Sequence, residues 1–219
     1  MTRTALVVGA SGAIGAAVKT VLGESGWHCL GSSSRSAGDV QIDLAKPDGF
    51  RTAVESLPPL DGVVFCAGRQ PSRSLADMTR SHAEDMVAVH VVGPMLLLQA
   101  LQSHLKDGSG VVFLSSVAAY RGSYDPSYAA ANGAVAAMTR SLARGLAPRV
   151  RVNAIAPSLV ADSPVFAQMT PDFRENHLRT TPLGRLATPR DCAEAVLFLL
   201  THRHMTGSVL HLNGGQYFG

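Results

Sequence analysis

Thr4-Ala5-Leu6-Val7-Val8-Gly9-Ala10-Ser11-Gly12-Ala13-Ile14-Gly15-Ala16-Ala17-Val18 is the most informative stretch of the chain. Thr4–Val8 is a short apolar run that reads as a buried strand, and the spacing of Ala, Val and Leu from Ala13 to Leu22 reads as a helix. Between them Gly9, Gly12 and Gly15 form G-x-x-G-x-x-G, with Ser11, Ala13 and Ile14 completing the loop. A strand that turns at once into a helix presents backbone N–H groups at the helix N-terminus, where the dipole favours an anion. Gly9 suits the tight turn, Gly12 and Ala13 keep the approach open, and Gly15 lets the helix pack close to the strand. The anion this arrangement suits is a pyrophosphate. The spacing differs from the commoner G-x-G-x-x-G.

Outward from this loop, apolar runs alternate with segments of helical period, the pattern of a parallel sheet with crossover helices. The spacing predicts strands at His28–Gly31, Val40–Ile42, Val63–Cys66, Gly110–Leu114, Val150–Ile155 and Ser208–Leu212. It predicts helices at Pro47–Leu57, at Thr79–Leu105 as one long element, at Ser127–Leu146, and from a threonine cap at Thr188. Val160–Leu183 reads as irregular, the place for a substrate lid. The expected architecture is α/β: a single Rossmann-type, doubly wound domain over residues 1–219, its parallel sheet flanked by helices on both faces.

Composition agrees with one ordinary domain. The chain has 219 residues, 46% of them hydrophobic, enough for a core and too many for disorder. Cys29, Cys66 and Cys192 are scattered without metal-ligand spacing and read as reduced thiols. The net charge of +3 is spread thinly, with no basic stripe of the kind nucleic acid requires. The start of the chain leaves no room for a signal peptide and no apolar run has spanning length, so a cytoplasmic location away from membranes is expected.

The second strand bears on cofactor choice. An Asp or Glu at its end meets the ribose 2′-hydroxyl of NAD, whereas an Arg accommodates a 2′-phosphate. Here Ser32-Ser33-Ser34-Arg35 precedes any acid. Arg35 can pair with phosphate and Ser34 can donate to it, so NADP(H) is favoured, with NAD(H) still possible.

Several segments in order resemble the short-chain dehydrogenase/reductase family over nearly the whole chain. Gly9–Gly15 resembles its glycine loop, with Val8 and Ala13 at two substituted positions. Ile42-Asp43-Leu44 resembles the segment whose Asp meets the adenine. Phe65-Cys66-Ala67-Gly68 resembles N-N-A-G with both asparagines replaced. Ser115-Ser116-Val117 and Ser127-Tyr128-Ala129-Ala130-Ala131 resemble the catalytic Ser and Tyr segments. Arg151-Val152-Asn153-Ala154-Ile155-Ala156-Pro157-Ser158 resembles R-V-N-x-I-x-P-G, with Val160 following it along the cofactor wall. The chain is compact, with about ten residues between the second strand and Asp43 where the family has a helix.

The resemblance implies an oxidoreductase that interconverts a carbonyl and a secondary alcohol. It assigns the proton donor to Tyr128 and the substrate-oxygen ligand to Ser116 rather than Ser115. It departs at two catalytic positions: Asn132 replaces the Lys that lowers the tyrosine pKa, and His90 replaces the Asn of the proton relay. Tyr128 and Asn132 lie four apart on one helix face. His90 reads equally as a buried structural histidine or a proton carrier. Tyr120 and Tyr124 read as wall or lid packing. Asp162 reads as part of the cofactor mouth or as a helix cap, and Val165, Phe166 and Met169 as an apolar part of the substrate lid. A homodimer or homotetramer is implied through the Thr79–Leu105 and Ser127–Leu146 helices. Two alternatives stand beside the enzyme: a redox-inactive, cofactor-binding subunit of a hetero-oligomer, and a non-redox dehydratase or isomerase on the same fold.

Overall fold

In the computed structural model the described residues are 2–34 and 38–218, with the side chains of Pro164 and Val165 left aside. Seven strands form one parallel sheet in the order β3-β2-β1-β4-β5-β6-β7. They are β1 (Thr4–Val8), β2 (His28–Ser33), β3 (Val40–Gln41), β4 (Leu60–Phe65), β5 (Leu105–Leu114), β6 (Val150–Pro157) and β7 (Val209–Leu212). The order reverses between β1 and β4. That reversal opens a crevice at the carboxyl ends of the strands, where open α/β sheets take ligands.

Period-two alternation divides the strand side chains between two cores. Leu6, Val8, Val63, Phe65, Val111 and Phe113 face one side, against Leu97 and Leu98 of α4 (Gly93–Leu101) and Val135 and Met138 of α6 (Pro126–Leu146). Ala5, Val7, Val64, Val112 and Ile155 face the other, against Val18 and Leu22 of α1 (Ala13–Glu24) and Val196 and Leu199 of α9 (Pro189–Thr201). Both faces are covered, the doubly wound arrangement expected from the alternating pattern.

The differences from expectation have local causes. The long helix runs through α3 (Arg80–Val87), a single π-turn at Ala88–Val92 and α4, and it stops at Leu101 because β5 already begins at Leu105. By length and composition Arg80–Leu101 could span a membrane, yet its Met86, Leu97, Leu98 and Leu101 belong to the core. The Pro47–Leu57 helix is a 3₁₀ turn, Pro47–Gly49, followed by α2 (Phe50–Val54). The Val160–Leu183 stretch is not irregular throughout: it holds α7 (Pro164–Gln168) and α8 (Pro171–Arg179), each opened by a hydroxyl cap and a first-turn proline. Between β2 and β3 no helix lies among the described residues. Asp39 closes that edge by accepting from the Gly31 N–H at 2.7 Å and from Lys19 Nζ at 3.1 Å.

Candidate active site

The crevice holds one cavity of about 770 Å³. Gly12–Gly15 and Cys66–Gly68 line one end. Ser116, Tyr128, Met169, Phe173 and His177 line the other, with Pro157, Ser158 and Val160 along the side.

The glycine loop explains the first end. Gly9 has a φ of +83°, and a Cβ there would press on the backbone of Ala67; a Cβ on Gly15 would overlap the Gly9 carbonyl. Both glycines are therefore demanded by the fold. Gly12 is different. Its φ of −79° and ψ of 160° suit any residue, and a Cβ would meet only the Gly9 carbonyl oxygen at 3.5 Å. Gly12 also supplies no side-chain cap to α1. The N–H groups of Ala13, Ile14 and Gly15 have no acceptor among the described residues. A helix end opening uncapped on a cavity, with no side chain over it, fits the pyrophosphate of a dinucleotide.

Other sequence candidates for the cofactor lie apart from this cavity. Leu44 is core, and its carbonyl packs where a Cβ of Gly93 would be. The Asp43 carboxylate accepts the Ala45 N–H at 3.1 Å within its own turn. Ser11 and Ser34 are exposed, and neither Asp43, Leu44, Ser11 nor Ser34 lines the wall. Arg35 falls outside the described residues.

At the other end α6 carries Tyr128 and Asn132 into the cavity, and the loop after β5 carries Ser115 and Ser116. Ser115 Oγ donates to the Asn132 carbonyl at 3.0 Å and so fastens α6 to the loop. Ser116 lines the cavity with Tyr128, and its Oγ accepts the Ala118 N–H at 3.2 Å. Burial raises the Tyr128 pKa above its ordinary value, and the polar side chains of Ser116 and Asn132 beside it oppose this without overcoming it. Asn132 is 1% exposed, and its Nδ2 donates back to the Tyr128 carbonyl at 2.9 Å. Among the described residues no ammonium contributes at Tyr128.

His90 sits in the π-turn, a helix irregularity that often marks a functional site. Its ring meets Tyr128 edge-on with centroids 5.9 Å apart. The Arg69 backbone N–H donates to His90 Nε2 at 2.8 Å, and the Arg69 carbonyl oxygen lies 3.2 Å from the same nitrogen. Burial lowers the His90 pKa, so the ring is neutral near pH 7. His90 therefore supplies no positive charge to Tyr128. Gly68 is required beside it, since a Cβ would lie 2.9 Å from the imidazole Cε1.

Sequence reasoning missed the segment after β4 and the residue that fastens it. Arg69, Gln70 and Pro71 form a wall of the cavity. Asp125, fully buried, accepts from Ser127 Oγ and from the Tyr128 N–H through one oxygen. Through the other it accepts from the Ser72 and Arg73 N–H groups and pairs with His82. Asp125-Pro126 before a helical period was the available signal, an N-cap followed by a first-turn proline.

The lid departs from its reading in detail. Met169 lines the cavity together with Phe173 and His177, whereas Phe166 faces a separate depression under the Arg174 guanidinium, 4.6 Å from its ring centre. Val165's side chain lies outside the described residues. Asp162 caps no helix; Ser163 caps α7 by accepting the Phe166 N–H at 3.1 Å. Tyr124 lines the cavity, and Tyr120 packs instead on His211 and Tyr217.

Known proteins match this architecture end to end. Residues 17–216 match the family model described as enoyl-(acyl carrier protein) reductase. An uncharacterized oxidoreductase of Bacillus subtilis is 33% identical over 242 residues, covering 99% of this chain and 100% of the relative. A short-chain dehydrogenase/reductase from Brucella melitensis superposes with a TM-score of 0.93 at 28% identity, over 99% of this chain and 97% of that one. A blue fluorescent protein from a metagenomic library, solved in complex with NADPH, gives a TM-score of 0.90 at 27% identity, over 99% and 98%. With most of its length inside the family model and a relative matched throughout, the chain belongs to the short-chain dehydrogenase/reductase family of nicotinamide-dependent oxidoreductases.

Proposed function

We propose that the chain is an NADP(H)-dependent reductase that converts a carbonyl to a secondary alcohol, with Tyr128 as proton donor. The observation that carries this reading is one cavity lined both by the uncapped end of α1 and by Ser116 and Tyr128. Gly12, Ala13, Ile14 and Gly15 would hold the pyrophosphate, with Cys66–Gly68, Pro157, Ser158 and Val160 along the remaining wall. The bound nicotinamide supplies the hydride. Ser116 donates a hydrogen bond to the substrate oxygen, and the Tyr128 phenol passes its proton to that oxygen as the carbonyl carbon is reduced, leaving a tyrosinate. A raised Tyr128 pKa keeps the phenol protonated at neutral pH, which suits reduction and disfavours the reverse step. Asn132 and His90 act as neutral neighbours of this donor.

NADP(H) rather than NAD(H) is supported by Ser34-Arg35 at the end of β2 and by the NADPH complex of a protein with the same fold. Val92, Met95 and Leu96 are each more than a third exposed along the long helix. That apolar strip supports a homodimer or homotetramer, which sedimentation would reveal.

The test is NADPH oxidation followed spectrophotometrically against ketones, aldehydes and 3-oxoacyl thioesters at several pH values. Turnover lost in Tyr128→Phe supports the reading. Tight NADPH binding without turnover on any carbonyl, with a homologous chain copurifying, would replace it by the redox-inactive subunit, the reading that Asn132 favours.

A further inference from the structure

The two oxygens of Asp125 face different parts of the site. Oδ1 serves the catalytic helix: it takes the Ser127 hydroxyl at 2.6 Å and the Tyr128 N–H at 3.1 Å. Oδ2 serves the opposite wall: it takes the Ser72 N–H at 3.0 Å, the Arg73 N–H at 3.3 Å and His82 Nε2 at 2.9 Å. Tyr124, one residue before it, donates to the Pro71 carbonyl at 2.7 Å. The same wall is held from its other end, where the Arg69 N–H meets His90 and its guanidinium meets Asp85. Burial would raise the Asp125 carboxyl, but its hydrogen bonds outweigh that and hold it ionised well below the usual carboxylate range.

We propose that Asp125, held from behind by His82, is a positioning residue that clamps the Arg69–Arg73 segment, whose Arg69, Gln70 and Pro71 line the cavity, to the helix carrying Tyr128 and so sets where a substrate carbonyl lies relative to the phenol. This rests on Tyr128 being the proton donor. An N-cap alone needs one acceptor oxygen. The second oxygen, with three donors converging on it from a cavity wall and from α3, has no use in capping. A buried carboxylate with five donors is also rigid, since each donor loses its partner if the side chain turns.

Asp125→Asn separates the two halves. With its carbonyl oxygen toward Ser127 and Tyr128 the cap survives, but its NH₂ then faces three donors. Asp125→Asn and His82→Ala should each raise tryptic cleavage after Arg73 at least tenfold. Each should lower kcat at least tenfold, with a smaller change in carbonyl KM and NADPH Kd within twofold. His82→Gln, which restores an N–H donor, should recover kcat to within threefold of wild type. Should Asp125→Asn fail to fold, the His82 pair decides. Unchanged cleavage after Arg73, or His82→Gln as impaired as His82→Ala, overturns the clamp. So does a kcat loss that merely tracks equal losses of melting temperature and NADPH binding. Turnover surviving Tyr128→Phe would instead remove the proton-donor reading, and the cleavage assay would still judge the clamp by itself.

Discussion

Two helices begin at the same cavity and begin in opposite ways. Helix α1 opens on Gly12, with no side-chain cap and three N–H groups lacking an acceptor. Helix α6 opens on Asp125, whose buried carboxylate collects five donors from the helix, the facing wall and α3. Elsewhere α3, α8 and α9 open on Thr79, Thr170 and Thr188, each accepting from its own helix. A capped helix is about 1 kcal/mol more stable than one opening on an apolar residue. Because α1 opens on glycine, it forgoes only a few tenths of a kcal/mol relative to a side-chain cap, and its N-terminus stays open. At α6 the N-terminus is filled by the protein itself, because what it presents is a side chain whose position matters. One end is built to receive and the other to hold still.

The largest expected effect lies at the held end. Tyr128→Phe should reduce turnover by on the order of 10²–10⁴, the usual worth of a positioned proton donor, while NADPH titration stays near wild type. Equal activity of the two proteins would break the assignment. The receiving end comes next. Arg35→Ala should weaken NADPH by about 1.5–3 kcal/mol, the worth of a hydrogen bond to a charged group, and leave NADH binding unchanged. Equal losses for both cofactors in a fluorescence titration would show that nothing at Arg35 reads the 2′-phosphate.

A smaller effect concerns charge beside the donor. Because the Tyr128 pKa is raised, the protonated form that reduction needs persists from neutral pH past the ordinary tyrosine value of about 10. Alcohol oxidation needs tyrosinate and should rise with pH instead. An ammonium about 4 Å away at an effective dielectric near 20 favours the anion by about 4 kcal/mol. Asn132→Lys should therefore move the oxidation rise to lower pH by about one to three units, reduced by the burial of position 132. An unshifted pH–rate profile in a folded Asn132→Lys protein would mean that the charge does not reach the phenol.

The contrast between the two ends also divides what the sequence makes legible. The open end is local: strand, glycines and helix are contiguous, so the tight turn at Gly9 and the close packing at Gly15 can be read along the chain. The parallel sheet with helices on both faces follows from the same alternation of short apolar runs and helical periods. The held end is assembled across the fold. His82 and Ser72 lie 43 and 53 residues from Asp125 in sequence, and no spacing rule connects the three. The role of Ser115 emerged the same way, from its bond to the Asn132 carbonyl. Asp43 and Leu44 belong to a segment with a recognisable pattern; there the Asp43 carboxylate accepts the Ala45 N–H and Leu44 packs in the core. The lid helices were obscured by three prolines in a polar stretch, which read as breaks although Pro164 and Pro171 begin helices.

The sharpest test of an N-terminus reserved for a ligand is Gly12→Asp, with apo melting temperature and NADPH Kd measured on one preparation. The backbone at position 12 suits any residue and a Cβ has room, so aspartate can cap α1. Replacing glycine with a true cap changes stability by only a few tenths of a kcal/mol. The apo protein should then melt within about 2 °C of wild type or slightly above it. Its carboxylate would occupy the place of the pyrophosphate and repel it, so NADPH affinity should fall by on the order of 100-fold. An unaltered NADPH Kd in a folded Gly12→Asp protein would contradict the account, because the anion would then have to bind somewhere other than the open end of α1.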